Sequence, residues 1–214
     1  MSEEEKAEFY EILKKFADSV GVSGYEMEIR NRVIEELEKL VDKVEVDKFG
    51  NVIGIRKGRS DLKVMIAAHM DEIGLMVSHI DKRGFLHFTS VGGWSNRLLP
   101  GQRVIVYGDS GPVFGVIGLK PPHLETQEEA KEVIPMRKLF IDIGASSREE
   151  AERLGIREGS IAVLDRQVVR LSGSRVTGKA FDDRVGVACM VYALRLLEKK
   201  EIEPTVYAVA TVQE

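Results

Sequence analysis

The sequence predicts an α/β unit interrupted by a β-rich insertion. Three observations carry this prediction. Two amphipathic helical stripes and a short unbroken apolar run precede Asp71. From Ile73 to about Asp165 glycine is frequent and helical periodicity fades. Helix-then-strand patterning returns near Val168. The expected division is therefore 1–72 for the first part of an α/β domain, 73–165 for a small inserted β domain, and 166–214 for the α/β domain continued.

Each element has its own reason. Phe9, Ile12, Leu13, Phe16, Ala17 and Val20 fall on one helical face, and Gly21 stands where a helix stop is expected. Ser23-Gly24-Tyr25-Glu26 has capping-box spacing and opens a second helix carrying Ile29, Val33, Leu37 and Leu40. Val44 and Val46 alternate with charged residues as on a half-buried strand, and Asp47 to Asn51 turns the chain into Val52–Ile55. Val64 to Ala68 is an apolar run suited to a central strand covered on both faces. Within the insertion, Ile73–Ile80, Phe85–Phe88, Arg103–Tyr107, Val113–Ile117 and Leu139–Ile143 read as strands, with one helix near Ser147 to Leu154. Pro121 to Pro135 reads as a polar surface loop. After Val168, a loop from Thr177 to Asp183 feeds a helix with Val187, Met190, Val191 and Leu194 on its stripe, and Thr205 to Val212 is the last strand.

Composition narrows the function classes. No apolar run reaches about 18 residues, so no helix is expected to span a membrane, and a net charge of −4 with no basic block argues against a nucleic-acid partner. The N-terminus is acidic and amphipathic rather than a basic signal peptide. One cysteine, Cys189, has no internal partner, which predicts a reducing cytoplasm. It reads as buried helix filler. Scarce Asn and Gln beside abundant Lys and Glu suggest a thermophile. The Gly-x-Ser-x-Gly elbow, the P-loop and the Gly-x-Gly-x-x-Gly fingerprint are missing, so serine hydrolysis, nucleotide hydrolysis and dinucleotide redox chemistry lack support.

Three sites are candidates for chemistry, and each follows an apolar element. His69 and Asp71 stand where the run Val64–Ala68 ends, the place where open α/β sheets collect ligands. A metal-bound histidine needs its second ring nitrogen held by an acceptor, a role Asp71 would fill. A polar strand end beside a turn looks the same. Asp182 and Asp183 open a helix, as an N-cap and a first-turn acid would, or as the source of a carboxylate bridging two cations. Glu214 follows the last apolar strand, where a glutamate serves as a general base on an activated water or simply frays. His79 and His87 lie inside strand patterns and read as structural. His123 reads as a solvated loop histidine, and Trp94 in Gly92-Gly93-Trp94 as an interface anchor or part of a tight turn.

These motifs resemble, in order and over the whole chain, the tetrahedral (TET-type) co-catalytic metallo-aminopeptidases, also called deblocking or glutamyl aminopeptidases. The resemblance rests on Ser23–Glu26, Ala68-His69-Met70-Asp71-Glu72-Ile73-Gly74, Val91–Trp94, Lys120–His123, Gly178–Arg184 and Ala210–Glu214. It implies a zinc-peptidase-like catalytic domain with an inserted β-rich dimerisation domain, and two divalent metal ions, zinc or cobalt. It implies that His69 ligates a metal, Asp182 bridges both, Asp71 orients His69 and Glu214 is the general base. The reaction implied is release of N-terminal residues from short peptides, in assemblies from dimer to dodecamer. The family pattern continues past Glu214 with further metal ligands. The 214 residues alone are therefore expected to be an incomplete catalytic domain, binding metal weakly with little or no turnover. The alternatives are a non-catalytic oligomerisation module or fragment of such an enzyme, and another two-metal hydrolase such as a deacylase or carboxypeptidase.

Overall fold

The structure is a computed structural model that describes residues 2–121 and 133–214. The chain divides into two compact units: one holds the chain up to Glu72 together with Arg166–Glu214, the other Ile73–Asp165. His123 and most of the predicted proline-bounded loop, residues 122–132, lie outside the described residues.

In the first unit, helix α1 (Glu3–Asp18) opens on Ser2, whose Oγ accepts from Glu5 N at 3.1 Å while Glu5 Oε2 accepts from Ser2 N at 2.6 Å. This reciprocal pair satisfies two orphan donors. Three glutamates in the first turn, Glu3, Glu4 and Glu5, complement the helix dipole. The helix buries Ile12, Leu13, Phe16 and Ala17, and stops at Ser19 rather than Gly21. Gly21 is needed for close approach instead: a Cβ there would lie 2.4 Å from Ile29 Cγ2 and 2.8 Å from Arg184 Nη2.

Helix α2 (Met27–Leu37) starts at Glu26 with no side-chain cap. The predicted capping box does not form, because the Ser23 hydroxyl donates to Asp71 and Glu26 Oε1 accepts from Gly24 N at 2.7 Å. Strands β1 (Lys43–Val46) and β2 (Val52–Arg56) form a hairpin. Asp47 Oδ1 ties its turn by accepting from the backbone of Phe49, Gly50 and Asn51. Strand β3 (Lys63–His69) follows.

The second unit is a closed barrel of β4 (Gly74–Ile80), β5 (Leu86–Val91), β6 (Arg103–Gly108), β7 (Gly111–Gly118), β8 (Phe140–Asp142) and β9 (Ile161–Leu164). A short helix, α3 (Arg148–Arg153), precedes β9. Inward residues such as Leu75, Val77, Leu86, Val104, Val106, Ile117, Ile141 and Ala162 fill it. Strand β9 is not among the strands that the sequence predicts, yet it pairs with both β4 and β6 and so closes the barrel. Trp94 packs against this core, and its Nε1 donates to Gly74 O at 2.9 Å. His79 and His87 face outward on adjacent strands, with ring centroids 6.1 Å apart.

Back in the first unit come the hairpin of β10 (Val169–Arg170) and β11 (Val176–Thr177), helix α4 (Phe181–Leu197) and strand β12 (Thr205–Thr211). The sheet runs β1-β2-β12-β3, with β12 antiparallel to β2 and parallel to β3. Its helix-facing side chains, among them Val52, Ala68, Val206, Ala208 and Ala210, share one core with α1, α2 and α4.

Strand β3 is therefore not the doubly covered central strand its apolar run predicts. It lies at an edge of the described sheet, with Met65 70% exposed and Val64 39% exposed. An apolar run reports hydrophobicity without saying which faces are covered. Cys189 is likewise exposed, because it falls off the stripe made by Val187, Ala188, Met190 and Val191. Among the described residues no helix is long and apolar enough to cross a membrane.

A charge cluster joins α1, α2 and α4. Glu36, 6% exposed, accepts from Lys15 Nζ at 2.7 Å, Lys39 Nζ at 3.1 Å and Arg195 Nη2 at 3.2 Å. Burial alone would raise its pKa, but the hydrogen bonds from Lys15 and Lys39 outweigh it and hold the carboxyl below its ordinary 4.5. A carboxyl with a depressed folded pKa adds stability above its unfolded pKa and loses it as pH falls through the folded value. Glu36→Gln is expected to cost about 1–2 kcal/mol near neutral pH. Urea titrations should show that cost vanish once wild-type Glu36 is itself protonated; an equal cost at both extremes would contradict the cluster's role.

Candidate functional site

The parallel pairing of β3 and β12 sets the site. His69 is opposite Thr211, so both strands end at the same level of the sheet, and the residues that follow project beyond it. Asp182 arrives from the start of α4, where Asp182 and Asp183 are themselves non-helical and joined by a cis peptide. Two non-glycine residues with left-handed backbone, Ala180 (φ 57°) and Gln213 (φ 51°), directly serve the loops that carry Asp182 and Glu214. Each such residue costs roughly 1–2 kcal/mol, and strain of this kind concentrates at functional sites.

Four predicted residues come together. His69 Nδ1 lies 3.2 Å from Asp71 Oδ1, and Nε2 lies 3.3 Å from Asp182 Oδ1 and 3.7 Å from Glu214 Oε2. Asp71 is buried and also accepts from the Ser23 hydroxyl and, at 3.2 Å, from Glu214 N. An ionised carboxylate only accepts, so Asp71 holds a proton on His69 Nδ1, and Nε2, facing Asp182 and Glu214, carries a proton in the metal-free chain and would turn a lone pair to a cation bound there. Side-chain exposure rises outward, from 5% at Asp71 and 14% at His69 to 73% at Glu214 and 95% at Asp182. Burial opposes charging His69, but the hydrogen bond it donates to Asp182 and the charges of Asp71 and Glu214 outweigh it and raise the imidazole pKa above 6.5.

The two adjacent acids divide their labour. Asp183 Oδ1 accepts from Gly186 N at 3.0 Å and so caps α4, which leaves Asp182 to face His69. An imidazole nitrogen and carboxylate oxygens facing one space, with the ring held from behind by a carboxylate, fit a divalent transition metal. Among the described residues no three His, Cys, Asp or Glu side chains are already arranged as a cage. The donor set is thus compatible with a cation but open.

Behind the site lies a buried ion cluster that the sequence reading did not single out. Arg184 is fully buried and Glu72 nearly so, at 0% and 5% exposed. Lys179 Nζ reaches Glu72 Oε1 at 2.8 Å. The signal in the sequence is a pair of basic residues, Lys179 and Arg184, flanking the Asp182-Asp183 pair. Ser23 reads as a cap in the sequence because its spacing to Glu26 matches one.

A profile described as M42 glutamyl aminopeptidase matches residues 50–214. The lysyl aminopeptidase of Pyrococcus furiosus is 44% identical over 209 residues, covering 96% of this chain and 59% of that protein. An aminopeptidase structure from the archaeon Desulfurococcus kamchatkensis superposes with a TM-score of 0.91 at 50% identity, covering 98% of this chain and 57% of that one. The Pyrococcus horikoshii TET1 peptidase, described as assembling into a tetrahedron or a large octahedral shell, superposes with a TM-score of 0.87 at 42% identity, covering 96% of this chain and 61% of that one. The chain spans about three-fifths of the length of these relatives. With more than half of its residues matched by that profile, the chain belongs to the M42 glutamyl aminopeptidase family.

Proposed function

We propose that these residues form part of a metal-dependent aminopeptidase that releases N-terminal residues from short peptides in a reducing cytoplasm. The observation that supports this best is the convergence of His69 Nε2, Asp182 and Glu214 beyond the ends of two parallel strands. His69 and Asp182 would hold divalent metal, two ions of zinc or cobalt in a complete site. Bound there, the ions supply Lewis acidity that lowers the pKa of water and polarises the scissile carbonyl. Asp71 keeps His69 in the Nδ1–H form. Glu214, exposed and next to His69, takes the proton from the attacking water and delivers it to the leaving amine. The 214 residues by themselves offer two such ligand side chains, fewer than the three protein ligands of an ordinary catalytic zinc site. On their own they therefore bind metal weakly and turn over little.

The barrel unit is the proposed self-association surface, with a second copy of the chain as its occupant. Phe114 and Val116, 67% and 42% exposed, project from the outward face of β7, and relatives are described as assembled shells. Native mass spectrometry of the 214-residue chain with cobalt tests both readings. Multimers carrying at most one weakly held cobalt per chain, lost on His69→Ala, are the expected result. Two tightly held ions per chain would contradict the incomplete site. Cobalt binding indifferent to His69 would overturn the metal reading, and a strictly monomeric spectrum the assembly reading.

A further inference from the structure

We propose that Glu72, Lys179 and Arg184 are positioning residues that set the separation of His69 and Asp182; the inference rests on the metal-site reading above. Three chain segments meet at the cluster. Glu72 follows His69 by three residues on the exit of β3, while Lys179 and Arg184 flank Asp182 on either side. The third segment is Phe16 to Gly21, at the end of α1.

The bonds tie each segment to the other two. Lys179 Nζ donates to Glu72 Oε1 at 2.8 Å, to Glu72 Oε2 at 3.0 Å and to Ser19 O at 2.7 Å. Arg184 Nε donates to Met70 O at 3.0 Å, Nη1 to Phe16 O at 2.8 Å and to Ser19 O, and Nη2 to Glu72 Oε1 at 3.3 Å. Glu72 completes the knot: its N donates to Gly21 O at 2.8 Å, and its Oε1 accepts from Gly21 N at 3.2 Å. The side chain of Asp182 is 95% exposed, so packing does not hold it. Its place is set by the side-chain anchors before and after it: Arg184 grips Met70 O and Lys179 the Glu72 carboxylate, both on the segment that leaves His69.

Stability alone is a poor reason for such a cluster. Buried ion groups are often matched or exceeded in stability by apolar replacements of similar volume. A rigid fork such as guanidinium instead fixes several acceptors in one geometry. Removing groups that hold a metal ligand directly typically changes metal affinity 10–100-fold, which bounds from above the effect of anchors acting through the backbone.

The test is cobalt titration of the 214-residue chain beside Glu72→Gln and Lys179→Met, each checked for folding by circular dichroism. Both variants are expected to stay folded and to lose roughly 10-fold in cobalt affinity, the low end of the range for direct partners of a ligand. Val33→Ala, a core change in α2 far from the ligands in sequence, serves as a destabilised control and should keep wild-type affinity. Folded variants within about twofold of wild type would overturn the inference, and unfolding of both would assign the cluster a stabilising role instead. A metal-free readout separates this from the function itself. The long-range ¹H–¹⁵N spectrum of the His69 ring should change in the variants and not in Val33→Ala. If wild type shows no His69-dependent cobalt binding, the proposed function fails, and the ring spectrum still decides the positioning role: unchanged shifts overturn it.

Discussion

Arg184→Ala is expected to be the most destabilising single substitution in the α/β unit, costing about 3–5 kcal/mol. The side chain is fully buried and donates to the carbonyls of Phe16, Ser19 and Met70 and to Glu72. Alanine removes every one of those donors and opens a void too closely walled to collapse freely, since Gly21 already lies against the guanidinium. For a chain of this size the thermal midpoint should fall by roughly 6–20 °C. Arg184→Lys should recover only part of the loss, because one ammonium cannot reproduce the spread of a planar fork. A shift below about 1 kcal/mol in urea unfolding would mean the carbonyls find other donors.

The second large effect concerns the metal. Asp182→Ala should reduce cobalt affinity by more than about 100-fold, beyond the 10–100-fold typical of second-layer partners. Its neighbour gives the contrast. Asp183 caps α4 through Gly186 N, so Asp183→Ala should cost about 1 kcal/mol of stability with a much smaller effect on cobalt. Spectroscopic cobalt titration of both variants decides the matter: equal losses would show that the two acids are not divided between binding and capping.

Those two residues also show how far the sequence could be read. Periodicity was enough for α1, α2 and α4, and alternation or apolar runs for β1 to β8 and β12, because those signals depend on local burial. Strand β9, whose four residues are all buried, lacks alternation and went unread. The edge position of β3 and the outward face of Cys189 depend on what packs where, which a linear pattern does not encode. At the site, His69, Asp71, Asp182 and Glu214 were legible as polar residues ending apolar elements. Ser23 and the Glu72–Lys179–Arg184 cluster were not, because their partners lie far along the chain.

The pairing of β3 with β12 also bears on how the chain reaches its native state. Lys63 must find Thr205 with the whole barrel between them in sequence, whereas β4 with β5 and β6 with β7 are neighbours along the chain. Local pairs form sooner, and the entropy of closing a long loop falls when the loop is already compact. The β4–β5 and β6–β7 hairpins are thus placed to form first, while closing the barrel through β9 and pairing β3 with β12 are the long-range steps that follow. Refolding should proceed in two phases, and a slowly folding barrel would delay the appearance of the site without touching any residue in it.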